Sequence, residues 1–314
     1  MVLMEHSLSV DREFLERFET GLDPQHPETS RIPARILGYG EISSIFAIEG
    51  MPAVAFKRMP IFGTVPEAES YAAMFHTYSR HLGEAGLTLP EQATAVVPSA
   101  GGGVVLYIVQ RQLPDEDFGH HLIHAIDRDD VLLLIRDIVR LIDGVWAFNA
   151  TRKPYLELAL DGQLSNWVRS VYDPSHAVLY IDTSTPLFRI DGREQLDPEK
   201  LLKSAPGALR WILRRFFLAD VMNRYYSHRD VVIDLIANLY KEQRPDLIVP
   251  VTETINHYST VLDRPIQPKT VDRYYRSDRI IWTLFLAFRR MDRWLSRYLL
   301  RRRYEFILPG PIKR

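Results

Sequence analysis

The 314-residue chain contains no cysteine, which removes disulfides, thiolate metal sites and cysteine nucleophiles together. A reducing compartment is compatible with that absence and not required by it. Long apolar runs are also missing. The longest, Ile280–Phe288 (IIWTLFLAF), has 9 residues, against the ~20 that cross a bilayer. The opening MVLMEHSLSVDREF brings acids early and has no extended apolar stretch, so no secretory signal is expected and the expected setting is cytoplasmic. There is no internal repeat, no low-complexity tract, no HExxH and no Gly-x-Ser-x-Gly elbow. What remains is 46% hydrophobic and 25% charged, ordinary for a globular chain and sufficient for one large or two modest domains.

The net charge of −1 conceals a separation of sign. From Lys269 to Arg314 stand 13 Lys+Arg against 4 Asp+Glu, leaving 26 basic against 36 acidic side chains in residues 1–268. A basic tail on an acidic body implies either an intramolecular dock or an anionic partner.

Periodicity orders the elements. Asp11–Glu19 reads as a short helix, followed by a proline-rich loop, Asp23–Pro33. Three strand-like runs lie between Ala34 and Arg58, separated by Gly and Pro, as in an antiparallel meander. Pro66–Leu82 has a helical period, with Pro66 suited to its first turn. Two further strands, Ala93–Val97 and Val104–Val109, flank the Ser99–Gly103 turn. Beyond Leu113-Pro114 the pattern changes: Asp129–Phe148 is a long amphipathic helix, Val178–Ile181 a buried strand, and nearly everything from Leu201 onward is helical. The expected fold class is α+β in two lobes, a strand-rich part over 1–113 and a mostly helical part over 114–314.

Several positions could carry chemistry. Gly38 and Gly40 (Gly38-Tyr39-Gly40-Glu41) sit between two strands, where glycine lets a backbone approach a phosphate and offer its N–H groups; an ordinary turn uses the same residues. Lys57 closes the apolar run Ala53–Phe56, where its ammonium could bridge phosphates and pair with a helix carboxylate. Glu67 and Glu69 are the candidate partners, and Glu67 shares a helical face with Tyr71, Met74 and Tyr78. Both acids also simply favour a helix N-terminus. Asp161 precedes Asn166 by five residues, and Asp182 ends a buried strand, where an ionised carboxylate needs a partner, a metal or solvent.

Gly-rich hairpin, strand lysine, helix glutamate, Asp-x4-Asn and strand-terminal Asp occur in the order used by the protein-kinase-like superfamily. Over roughly Ile36–Pro186 the chain resembles the aminoglycoside phosphotransferase and choline kinase type of small-molecule kinase. The resemblance implies a two-lobed kinase-like fold and an ATP-dependent phosphotransferase with Mg²⁺, acting on a hydroxyl of an unidentified, small-molecule acceptor. Gly38 and Gly40 would then cover the phosphates, Lys57 would hold them and pair with Glu67, and Gln110 and Gln112 would fall at the interlobe hinge. Asp161 would orient and deprotonate the acceptor, with Asn166 and Asp182 as metal ligands. The sequence departs from the pattern in three places. Ala159 and Leu160 stand where a His usually precedes the catalytic Asp, Thr-Ser-Thr-Pro follows Asp182, and the Lys57-to-Glu67 interval is short. The short interval implies a trimmed helix or a different partner. These departures leave open a nucleotide-binding pseudokinase that acts as a regulatory module, and nucleotidyl transfer on the same fold.

The tail combines an apolar stripe (Trp282, Leu284, Phe285, Phe288, Met291, Trp294, Leu295, Tyr298, Leu299) with Arg289, Arg290, Arg293, Arg297 and Arg301–Arg303. The stripe either packs into the protein's own core or lies on an anionic membrane surface. Nucleic acid is disfavoured as a partner because no reader motif accompanies the charge. His120, His121 and His124 read as a helix start rather than a metal site.

Overall fold

The computed structural model describes residues 8, 10–40, 42–170, 177–197, 200, 218–295, 298 and 304–307. The apolar runs after Pro33 form a meander of β1 (Ala34–Tyr39), β2 (Ser44–Ile48) and β3 (Val54–Phe62). With β4 (Gln92–Pro98) and β5 (Val104–Arg111) they make a five-stranded antiparallel sheet, order β1-β2-β3-β5-β4. At the turn joining β4 to β5, Gly102 and Gly103 hold φ of 85° and 88°, the left-handed region that glycine enters without a Cβ clash.

β5 shows why the sheet is covered on both sides. Its odd residues Val105, Tyr107 and Val109 pack into one apolar cluster, and its even residues Val104, Leu106 and Ile108 into another, as the two-residue period of a strand requires. The odd face is closed by α1 (Arg12–Gly21), which Asp11 caps by accepting the Phe14 N–H. The even face is closed by α2 (Val65–Glu84), capped by Thr64, through Tyr71, Phe75 and Tyr78. The α2 cluster continues without interruption past Pro114 into the helical part.

That part holds α3 (Gly119–Ala125), α4 (Arg128–Arg152), α5 (Leu218–Tyr226), α6 (His228–Lys241), α7 (Ile248–Tyr258) and α8 (Pro268–Trp294). Between α4 and α5 run β6 (Leu156–Leu158), a 3-10 turn (Leu164–Asn166), β7 (Trp167–Val168), β8 (Leu179–Tyr180), β9 (Phe188–Ile190) and β10 (Arg193–Glu194). β7 pairs with β8, and β6, β9 and β10 form a small sheet in the order β10-β9-β6. The fold is α+β, as the order of elements predicts. Of the expected strand Val178–Ile181 only Leu179–Tyr180 forms a ladder. The expected helix at 201–217 lies outside the described residues, as do Glu41 and the side chains of Leu284, Phe285, Arg297, Leu299 and Arg301–Arg303.

The last described segment, 304–307, returns to the outer side of the sheet. Arg58 of β3, fully buried, donates to both carboxylate oxygens of Glu19 (2.6 and 2.8 Å), to Glu305 Oε2 (2.6 Å) and to the Glu305 carbonyl (2.9 Å). Tyr107 donates to the same Glu19 at 2.6 Å.

Candidate active site

β3 carries Lys57 toward the segment after β8. There its ammonium donates to Asp182 Oδ1 (3.2 Å) and Ser184 Oγ (3.0 Å), while Ser184 Oγ donates to Asp182 Oδ1 at 3.0 Å. Both ends of the ion pair are partly shielded, with 15% and 26% of the Lys57 and Asp182 side chains exposed. Asp182 Oδ2 accepts no hydrogen bond from the described residues. From α2, Tyr71 donates to the Ser184 carbonyl at 2.8 Å. Its hydroxyl is pushed above its ordinary pKa by burial and then by the Asp182 charge, so it stays a neutral donor.

The expected Lys57–Glu67 pair does not form. Glu67 Oε2 accepts from the Gly63 N–H at 2.9 Å, and Oε1 pairs with Lys200 at 3.3 Å. The reason is local. α2 starts at Val65, three residues beyond the end of β3, so Glu67 stays in the first turn beside the strand's end. Lys57 lies five positions back along the strand, about 17 Å away at ~3.3 Å per residue. The helix is not trimmed; at 20 residues it is longer than expected, and Tyr71, one turn past Glu67, makes its polar link to the Lys57 group. Glu69 is exposed.

The second half of the site is built on the 3-10 turn. Asn166 Nδ2 donates to the Asp161 carbonyl at 3.2 Å, and the Asn166 carbonyl accepts the Ile181 N–H at 3.0 Å. Those two bonds bring Asp161, Asn166 and Asp182 together although the outer two are 21 positions apart. The Asp161 N–H donates to Tyr180 Oη at 3.2 Å; its carboxylate accepts the Gln163 N–H (3.0 Å) and Gln163 Nε2 (3.1 Å). Lys241, at the end of α6, donates to Gln163 Oε1 at 3.2 Å and so backs that clamp. Ala159 and Leu160, at the place of the missing His, are fully buried, and Tyr78 donates to the Ala159 carbonyl at 2.6 Å.

The hairpin above the strands is tight. The Gly40 N–H donates to the Ser43 carbonyl at 3.0 Å, and a Cβ on Gly40 would come within 2.5 Å of Ser43 Oγ. Gly38 lies where the β1–β2 register shifts, a bulge. At the hinge, Gln110 is in register with both Ala55 and Gln92, and the Gln112 N–H is spent on the Ala53 carbonyl at 2.9 Å. Leu113 carries the first amide beyond the sheet that has no backbone acceptor among the described residues.

No group of three or more His, Cys, Asp or Glu side chains able to hold a metal occurs among the described residues. A hard cation that keeps water and phosphate ligands needs only one or two protein oxygens. Asp182 Oδ2 is an oxygen of that kind, and so is Asn166 Oδ1, since the Asn166 amide nitrogen is committed to Asp161. His120, His121 and His124 fall on α3, where burial and then the neighbouring His121 and Lys241 push His120 down to about 4, leaving it neutral.

Sequence reasoning missed Ser184, Tyr71, Gln163, Lys241 and Lys200. Tyr71 had a signal, the helical face shared with Glu67. The others meet their partners only through tertiary structure.

A five-stranded antiparallel sheet with one helix inserted before its last two strands, an ion pair between a strand lysine and an aspartate two residues past β8, and a mostly helical second part make up the α+β fold. The chain belongs to the family described as a family of unknown function, DUF6206, whose profile matches residues 31–293. Among curated proteins none matches. Among solved structures, the chain is similar to WbdD co-crystallised with a kinase inhibitor, at 16% identity over 52% of this chain and 34% of that one, with a TM-score of 0.30. It is also similar to WaaP in complex with acyl carrier protein, at 16% identity over 68% of this chain and 96% of that one, with a TM-score of 0.34. The chain thus spans about a third of the WbdD chain.

Proposed function

We propose that the protein is an ATP-dependent phosphotransferase that moves the γ-phosphoryl group to a hydroxyl of a small-molecule acceptor. The observation that carries the reading is the meeting of Lys57, Asp182, Asn166 and Asp161 through the bonds described above. Phosphoryl transfer asks little covalent chemistry of a protein; it asks for a clamp on the phosphates, neutralisation of developing charge and an aligned nucleophile.

In this reading residues 1–113 form the nucleotide lobe and 114–314 the acceptor lobe. Lys57 holds the α- and β-phosphates beneath the Gly38–Gly40 hairpin, and the hinge from Gln110 to Gln112 frames the base. Asn166 and Asp182 hold Mg²⁺, which when bound neutralises phosphate charge. Asp161 orients the acceptor hydroxyl and takes its proton, and Gln163 and Lys241 fix the rotamer of that carboxylate. The Lys57–Asp182 pair keeps the ammonium poised beside the metal ligand.

A second reading, a nucleotide-binding module without turnover, is favoured by one observation: the Asp161 carboxylate is occupied by both donors of Gln163. The test is thermal unfolding with and without Mg²⁺-ATP, followed by an acceptor screen with mass detection of products. Wild type should be stabilised by about 2.7 kcal/mol at ~100 times the dissociation constant, and Asp182→Asn should lose that gain. Asp161→Asn should keep it while losing all turnover. An active Asp161→Asn enzyme sinks the assigned role. Nucleotide binding without product in wild type moves the protein to the second reading. A product heavier by AMP rather than by phosphate replaces phosphoryl with nucleotidyl transfer.

A further inference from the structure

α8 packs one face on the protein and leaves the other bare. Val271 is fully buried, Tyr275 stacks on Tyr240 of α6 with ring centroids 4.8 Å apart, and Arg289 is 2% exposed with its guanidinium over the Phe306 ring. The opposite face carries a ridge at helical spacing: Ile280, Ala287, Met291 and Trp294, continued by Tyr298. Ile280, Met291, Trp294 and Tyr298 are 60%, 44%, 58% and 70% exposed, unusually large apolar side chains to leave in water on one face of one helix. Trp294 and Tyr298 form an aromatic pair at 6.1 Å.

The charges around the ridge are nearly all of one sign. Arg273, Arg276, Arg279 and Arg290 are exposed on this side. Of the acids on the helix, Asp272 offsets one of these arginines by pairing with Arg276 at 2.9 Å, while Asp278 and Asp292 lie off the ridge by helical spacing, so the face keeps a net positive charge. In sequence the basic residues continue through Arg297 and Arg301–Arg303.

We propose that this face of α8 is a docking surface for an anionic lipid bilayer, with the helix lying in the plane of the headgroups. An apolar, aromatic ridge flanked by arginines matches the two layers it would meet: Trp and Tyr seat at the boundary between headgroup and acyl chain, and guanidinium groups pair with lipid phosphates. The helix does not span; among the described residues none is long and apolar enough to cross a membrane. A second copy of the chain fits less well, because a two-fold contact along this face would set the same arginines against one another. The docking surface stands apart from the phosphotransfer reading and uses none of its residues.

The experiment is flotation of the full-length chain with vesicles of phosphatidylcholine alone and with phosphatidylserine added, at low and high salt. Wild type should float only with the anionic vesicles and should be released by salt. Arg279→Glu with Arg290→Glu should weaken binding by roughly fivefold or more per arginine reversed. Met291→Ser with Trp294→Ser should weaken it independently of salt. All these sites are exposed, so unchanged thermal unfolding checks that each variant folds. Failure to float with anionic vesicles at low salt overturns the proposal, as does wild-type binding by both double variants. Self-association that is abolished by Met291→Ser with Trp294→Ser, without vesicle binding, assigns the face to a second copy and overturns it. Capture of duplex nucleic acid through the same arginines, without vesicle binding, overturns it as well.

Discussion

At the scale of single residues, the site is organised around which carboxylate Lys57 holds. Its partner is Asp182, and Glu67 is engaged by Lys200. On the phosphotransferase proposal, Glu67→Gln is therefore expected to leave Mg²⁺-ATP stabilisation within about twofold of wild type, whereas Lys57→Met should abolish it; a Glu67→Gln protein that no longer responds to nucleotide, where wild type does, would refute this division of roles. Tyr71→Phe should lower stability by about 1 kcal/mol, the usual net value of one hydrogen bond, and weaken the nucleotide response because Ser184 loses its anchor on α2. Thermal shift on the three variants reads all of these. Lys57, Asp161, Asn166 and Asp182 stood out in the sequence as an ordered set rather than singly, each polar group closing an apolar run or sitting in a tight turn. Ser184 and Gln163 are ordinary loop residues by sequence, and Lys200 meets Glu67 across 133 positions with no periodic signal to join them.

At the scale of elements, long periodic segments were readable and short ones were not. α4 and β5 repeat their apolar residues often enough to fix both type and face, and the observed spans differ from expectation by a few residues at their ends. β9 and β10 have three and two residues, too few to express a two-residue period, and they owe their existence to pairing, β9 with β6 and β10 with β9. Helix pairing also sets an acid–base property. Asp234 of α6 faces Asp278 of α8, and its pKa is pushed up to about 7, first by burial and next by the Asp278 charge, against a hydrogen bond from Tyr274. The proton that the folded chain keeps is lost by the unfolded chain near the ordinary 3.8. This contribution to stability is thus complete below about pH 4 and declines as pH rises to about 7. Asp234→Asn should flatten that decline and leave the protein more stable than wild type at pH 8. A pH series of melting temperatures showing parallel curves for the two proteins would remove Asp234 from the account.

At the scale of the whole molecule, the sheet is closed from outside by segments that are distant in sequence. Glu19 of α1, Arg58 of β3, Tyr107 of β5 and Glu305 meet in one buried network, and Gln25 donates to the carbonyls of Tyr304 and Phe306 at 3.3 and 3.4 Å. Removing one side of a buried ion pair leaves a charge stranded, at about 3–5 kcal/mol. Glu19→Ala should therefore lower the melting temperature by roughly 2–4 °C for each kcal/mol lost. Glu305→Ala, whose carboxylate is partly exposed, should cost less, and the reverse order in a melting experiment would contradict the burial ranking. Nothing in the sequence marks Glu305 as a partner of Arg58, because 247 residues separate them. That separation has a consequence in time. On a ribosome the strands of the sheet emerge early, but the guanidinium at their centre meets its second carboxylate only after the whole helical part has been made. Through most of synthesis Arg58 therefore has Glu19 but not Glu305 to pair with, and this outer side of the sheet gains its second carboxylate late.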